Sequence, residues 1–353
     1  MRRGTARCAP TFKDHMSQSI LLNAFKGTNK SVPVWFMRQA GRFLPEYRAF
    51  KKDRTLQEMF CDPQVAAQIT LLPVDILKVD AAILFADILT LPSGMGFKIS
   101  FVDGKGPVIE NPVTQASDVG KVHAMDGLDH VAQTIGLINQ SLPDDVPLIG
   151  FAGAPFTVAN YLIKNSGGLG FPPAARFMIE HPKAFHAFMV KITTNTIRYL
   201  NLQKKAGIKA FQLFDTWGGV LRPEDYRGNV LPYVQEIFKA VDLPSIYYLK
   251  NCAHLLNEMN TCGSDFLSVC ETVRIGGHQV LNKTTKGVQG NLYNGLLYAD
   301  EKILRAEVRG ILTAARRHHK KYIFNLNHGI FPDVAVGQVK CVIEEIRKFK
   351  WHD

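Results

Sequence analysis

Apolar residues along this chain recur with two different periods. Short runs rich in β-branched and aromatic residues occur at Val32–Met37, Ala81–Ala86, Pro147–Ala152, Ala210–Asp215, Ser245–Leu249, Asp265–Val269, Gly287–Asn291 and Tyr322–Leu326. Continuous apolar runs of this length suit strands of a parallel sheet covered on both faces. Between them, apolar residues fall at the three- and four-residue steps of a helix face. Val65, Ile69, Leu72 and Ile76 mark one such helix, Leu304, Val308, Ile311 and Ala315 another, and Val339, Ile343 and Ile346 the last. The longest helical stretch runs from Pro182 to Ala206. Strands alternating with helices in this way predict an α/β chain folded as a single (β/α)8 TIM barrel. The segment Pro92–Pro112, with Lys98–Val102 as an extra strand, reads as a small β-rich insertion after strand two. An open doubly wound sheet is the alternative, but no glycine-rich phosphate loop follows the first strand. No linker divides the chain, so residues 21–353 are expected to form one catalytic barrel domain and residues 1–20 a poorly ordered tail.

Composition narrows the class. The 353 residues are 46% hydrophobic and 21% charged, enough to bury a large core. No run of about 18 apolar residues occurs, so no membrane span is expected. The first twenty residues are basic and lack the apolar stretch of a secretory signal. They read as a tail, a targeting remnant, or an upstream extension of a chain starting at Met16. The net charge of +11 favours an anionic partner. The densest basic runs, Arg316–Lys321 and Lys204-Lys205, fall at helix ends, where cations complement the helix dipole. A nucleic-acid partner is therefore not expected, and an acidic small molecule is. The six cysteines include no C-x-x-C pair, as expected of a reduced, cytoplasmic protein. Cys252, Cys262 and Cys270, with His254 nearby, match no structural zinc spacing, so no metal is expected.

In a barrel of this kind the active site lies at the C-terminal strand ends. Strand one runs into Met37-Arg38-Gln39-Ala40-Gly41-Arg42-Phe43-Leu44-Pro45-Glu46-Tyr47-Arg48. Two guanidiniums held around a glycine suit capture of carboxylate or phosphate, and Gly41 lets backbone approach a ligand. Strand two ends at Asp87. Strand three leads to a helix carrying Tyr161. Strand four ends at Asp215 and Thr216, and strand eight at His328. Each has an ordinary structural reading as well: Asp87 as a helix cap, Thr216 as a backbone partner, His328 and Tyr161 as core. Together they bring cations, carboxylates, a hydroxyl, a phenol and an imidazole to one end of the barrel.

This ordered set (MRQAGRFLPEYR, AAILFADIL, GFAGAP, QLFDTWGG, VQGNL and NLNHG) resembles the uroporphyrinogen decarboxylases from about Val32 to the C-terminus. The resemblance implies a cofactor-free barrel, a homodimer, and loss of CO2 from the four acetates of uroporphyrinogen, an octacarboxylate, giving coproporphyrinogen. It implies catalytic roles for Asp87 and Arg38. It also implies substrate contacts from Arg38, Gln39, Ala40, Gly41, Arg42, Asp87, Tyr161, Thr216 and His328. The chain departs from the family pattern in several places. Thr216 stands for serine, Phe43 for tyrosine and Asn327 for glycine, the last tolerable if a positive φ is needed. Tyr293-Asn294 stands for Asp-Pro, and Cys270-Glu271 for an Asp-Trp-like pair. Two other readings are a non-catalytic tetrapyrrole-binding protein and a zinc-dependent thiol methyltransferase. The latter needs a His-x-Cys order, which Cys252-Ala253-His254 reverses.

Overall fold

The computed structural model describes residues 19–102, 106–164 and 171–352. Most of the tail expected over residues 1–20 lies outside them. Ser19 accepts from the Leu22 N–H and caps a helix, Ile20–Lys26. β1 (Ala82–Ile83) opens a parallel sheet. β2 (Ile99–Val102) and β3 (Gly106–Ile109) leave it and pair with each other as an antiparallel ribbon, in the segment expected to be β-rich. The parallel sheet continues with β4 (Leu148–Gly153), β5 (Ala210–Asp215), β6 (Ser245–Leu249), β7 (Phe266–Ser268), β8 (Gly287–Gln289) and β9 (Tyr322–Ile323). Its order is β1-β4-β5-β6-β7-β8-β9, so successive strands are neighbours and every connection is a crossover.

At the sheet's two edges stands the segment expected to be strand one. Val34 bridges Phe324 in parallel on the β9 side. On the β1 side the Asp80 N–H donates to Val34 O at 2.8 Å. Ladder structure here shrinks to that single bridging residue. Trp35 N–H keeps a backbone bond to Phe324 O at 3.5 Å, and side chains take the other amides: Val34 N–H donates to Asp80 Oδ2, Phe36 N–H to Gln39 Oε1 and Met37 N–H to Asn325 Oδ1.

Helices cover the sheet where the apolar periods place them. α1 (Pro45–Lys51) follows the arginine loop, and α2 (Pro63–Leu77) starts at Asp62, whose carboxylate accepts from the Gln64 and Val65 amides. α3 (Thr90–Gly94) and α4 (Pro155–Leu162) follow β1 and β4. α5 has the expected bounds, Pro182–Ala206, with proline in its first turn and Gly207 at φ 119° closing it. α6 (Leu231–Ala240), α7 (Glu301–His318) and α8 (Val336–Lys348) complete the set used below. One glycine is required by packing. A Cβ on Gly287 would stand 2.3 Å from the Phe266 ring, so β7 and β8 fit only with hydrogen there.

Candidate active site

Alternation along the strands decides which side chains reach the C-terminal ends inside the curl. Gln212 of β5 faces inward. It joins a fully buried polar layer in which Trp35 Nε1 donates to Gln289 Oε1 at 3.0 Å, and Gln289 Nε2 donates to Gln212 Oε1 and Ser268 Oγ at 2.8 and 2.9 Å. Above it, Phe214 meets Phe151 and Tyr248, with ring centroids 5.6 and 5.8 Å apart. Thr216 is next on this inward face. It is half-buried, and its hydroxyl has no partner among the described residues.

The same alternation turns Asp215 away, which corrects the expectation that it joins the converging set. Its Oδ1 accepts from Thr157 Oγ1 at 2.6 Å and the Gly218 N–H at 2.8 Å, and its Oδ2 from Tyr247 Oη at 2.8 Å. Burial pushes its pKa up against these donors. Asp215 is a buried strut between β5, α4 and β6.

The arginine loop is also partly structural. Gln39 is fully buried, with Nε2 donating to Ala81 O at 3.0 Å and Oε1 accepting from the Phe36 N–H. Its side chain therefore joins the loop to β1 and is not free for a ligand. Arg48 Nη1 donates to the carbonyls of Arg42 and Phe43 at 2.8 and 3.2 Å, fixing the loop from behind. A Cβ on Gly41 would stand 3.0 Å from Arg38 O, so the glycine accommodates the loop's own carbonyl. Ala40 packs partly buried against the core. Arg38 and Arg42 are left exposed, and neither makes an ion pair among the described residues. Arg38 occupies the left-handed region at φ 58°, an uncommon conformation for a side chain of this size and one that collects at functional sites. Its stem crosses Gly329, where an added Cβ would meet Arg38 Cδ at 2.5 Å.

Asp87 lies where β1 gives way to α3. Its Oδ1 accepts from the Leu89 N–H at 2.8 Å, and its own N–H donates to Thr90 Oγ1. The cap reading is thus realised at Oδ1, while Oδ2 takes no hydrogen bond among the described residues. Burial raises the Asp87 pKa, while the Leu89 amide and the Arg38 charge oppose that rise. His328 follows β9, half-buried, with its ring 6.5 Å from that of Tyr248. Burial first, then the charges of Arg38 and Lys250, hold its pKa down to about 4. Arg38 thus acts electrostatically on both Asp87 and His328. Tyr161 sits on α4, half-buried against the core, its hydroxyl unpartnered among the described residues.

Other groups at these strand ends gave no motif. Tyr199 of α5 is buried, its hydroxyl has no partner among the described residues, and the Asp87 charge adds to burial in raising its pKa. Lys250 follows β6, and Glu271 follows β7. Asn327 does not take a positive φ, so the substitution for glycine meets no backbone demand of that kind; Arg38, Lys78 and Asn251 are the non-glycine residues that do, among the described residues. Its side chain makes bonds instead, donating to Glu271 Oε2 at 2.8 Å and accepting from the Asn294 N–H at 2.7 Å. The cysteines do not converge with histidine. Cys252 and Cys270 are 3.7 Å apart, whereas Cys262 contacts Ser264 and His254 Nε2 bonds Leu221 O. Among the described residues no group of three or more His, Cys, Asp or Glu side chains is placed to hold a metal ion, and no helix is long and apolar enough to cross a membrane.

Comparison with known proteins agrees with this geometry. The family model described as uroporphyrinogen decarboxylase (URO-D) matches residues 16–349. The uroporphyrinogen decarboxylase of Geobacter sulfurreducens is 42% identical over 322 residues, covering 88% of this chain and 93% of the relative. That of Carboxydothermus hydrogenoformans is 38% identical over 339 residues, covering 94% and 97%. Among solved structures, a methyltransferase from Methanosarcina mazei superposes with a TM-score of 0.76 at 20% identity, covering 94% of this chain and 98% of that one, a likeness of fold. With the ordered motifs, the inward-facing strand ends and these matches in agreement, the chain belongs to the uroporphyrinogen decarboxylase family.

Proposed function

We propose that this chain is a carboxy-lyase that converts the four acetates of uroporphyrinogen III to methyls, giving coproporphyrinogen III in tetrapyrrole biosynthesis, as its relatives' names indicate. The observation that carries the reading is Asp87: a deeply set carboxylate with one oxygen fixed by backbone and the other open, beside the unpaired Arg38. Losing CO2 requires somewhere for the C–C bonding electrons to go. Protonation of a pyrrole ring carbon makes the ring that sink. The open oxygen of Asp87 accepts the pyrrole N–H groups and stabilises the cationic ring. The C–CO2 bond then breaks, its electron pair enters the ring, and the exocyclic methylene is protonated to methyl as the ring proton leaves. Each cycle consumes one proton and releases one CO2. Arg38 holds the reacting acetate and stands beside the proton-transfer path. Arg42, Tyr161, Thr216 and His328 bind the remaining carboxylates, and Ala40 and Gly41 contribute backbone. The ring itself supplies the chemistry, so neither metal nor cofactor is required.

In the same reading residues 21–353 form one closed (β/α)8 barrel, completed by the Val34 segment and carrying the β2–β3 ribbon as an insertion. The protein works in the cytoplasm, without nucleic-acid or membrane partners, as a homodimer. The exposed, stacked rings of Tyr298 and Phe331, 5.9 Å apart, offer an apolar face to a second copy. The test is anaerobic incubation with uroporphyrinogen III, followed by oxidation and separation by carboxylate count. Stepwise loss of carboxylates without added cofactor is expected. Binding with no loss of carboxylates would refute the decarboxylase reading.

A further inference from the structure

β6 alternates in plain view. Tyr247 points outward, its hydroxyl on Asp215 and its ring against Phe238 of α6. Tyr248 points inward, its hydroxyl donating to Asn327 O at 3.0 Å and its ring facing His328. Two residues on, the inward position belongs to Lys250. Its backbone is held firmly. The Lys250 N–H donates to Asp215 O at 3.0 Å, and a Cβ on Gly219 would stand 1.9 Å from Lys250 O, so the loop after β5 presses directly on that carbonyl. Asn251, at φ 56°, then turns the chain away.

The Lys250 side chain is half-buried and makes no ion pair or hydrogen bond among the described residues. Glu271, the acid whose charge also reaches His328, has one oxygen already occupied by Asn327. The Lys250 charge reaches His328, as the Arg38 charge does. An imidazole reached by two cations and by one carboxylate that is already hydrogen-bonded is a place prepared for an anion.

We infer that Lys250 is a third cationic anchor of the cleft, holding a substrate carboxylate at the β6 side of His328. The inference rests on the uroporphyrinogen reading and extends it to a residue outside the arginine loop. An ammonium on a flexible stem suits this work, because it follows a carboxylate that shifts as the macrocycle is repositioned between steps.

The test uses the full chain with Lys250→Met and Lys250→Arg, each checked for a wild-type melting temperature. Wild-type turnover of uroporphyrinogen is measured first. Lys250→Met is expected to raise KM roughly tenfold or more with a much smaller change in kcat, and Lys250→Arg to recover most of the loss. Equilibrium binding of the inert, oxidised uroporphyrin should weaken in parallel and become less dependent on salt. Unchanged KM and unchanged uroporphyrin affinity in a folded Lys250→Met, beside an active wild type, overturns the anchor alone. Should Lys250→Met fail to fold, Lys250→Gln replaces it under the same criterion. Should the wild type bind uroporphyrin without turnover, the decarboxylase reading fails, and the binding comparison still decides the anchor.

Discussion

Asn327 donates to Glu271 Oε2 at 2.8 Å, joining two positions at which this chain departs from the pattern its family resemblance leads one to expect. The third departure is in the same set of bonds. The Asn294 N–H donates to Asn327 Oδ1 at 2.7 Å, and Asn294 Nδ2 to Gly329 O at 2.8 Å. These three departures therefore form one hydrogen-bonded unit that ties the loops after β7, β8 and β9 together next to His328. Asn327→Ala would strand the buried Asn294 amide and release Glu271. A loss of about 2–3 kcal/mol in urea denaturation is expected, with KM rising as His328 loses its support. An unchanged urea midpoint would show that the unit carries no stability.

Replacing Asp87 by asparagine separates its two tasks. The amide oxygen can still accept from the Leu89 N–H, so the turn into α3 survives. The negative charge that would face the cationic pyrrole is gone. A melting temperature near wild type with kcat lowered about 10²–10³-fold is expected. Because burial raises the Asp87 pKa and Arg38 opposes the rise, activity should fall with acid above the ordinary carboxylate range. Arg38→Met should move that acid limb higher still in the residual kcat/KM.

Gly329→Ala tests the seat of Arg38. The new methyl would meet Arg38 Cδ, Cγ and Cβ at 2.5, 2.9 and 3.0 Å, so the guanidinium stem must move. Activity should drop on the order of tenfold to a hundredfold while stability changes little. Wild-type kinetics in this variant would mean that Arg38 needs no fixed seat.

One buried and one half-buried histidine predict acid sensitivity. His319, 5% exposed, has its pKa held to about 4 by burial and by His318, and His328 is also held to about 4. Both are neutral in the fold, while the unfolded chain takes up these protons near 6.5. The unfolded state therefore binds more protons below that value. Stability should decline as pH falls from about 6.5 towards about 4, by up to about 3 kcal/mol per group. Urea midpoints measured across this range should show the slope, and His319→Leu should flatten it; an equal slope in the variant would assign the effect elsewhere.

What the sequence revealed follows a physical division. Helix α5 was legible to the residue because a first-turn proline and Gly207 mark its ends. β5 and β6 were legible because both faces are buried and mostly apolar. The first strand was not, since Asp80, Gln39 and Asn325 take its amides with side chains, and no periodicity records that. Asp215 and Thr216 are adjacent letters, and only the inward anchor at Gln212 tells which of them faces the cleft. Gln39 read as a ligand contact because its motif is written beside the arginines, yet both ends of its side chain are bound to backbone. Glu271 read only as a departure from the family pattern and Lys250 stood in no motif, and the structure adds that both charges reach His328.

The bond from the Met37 N–H to Asn325 Oδ1 spans 288 residues. It means that the arginine loop, the first of the strand-end motifs to be synthesised, is among the last to be completed. The loop leaves the ribosome early, but Asn325, which holds the Met37 amide, and Gly329, which the Arg38 stem crosses, arrive only with the final strand and the loop after it. A nascent or truncated chain ending before them carries every residue of the arginine loop and still lacks the surface that shapes it. Contacts of such long separation form late and slowly, so unfinished copies should not bind substrate in competition with finished ones.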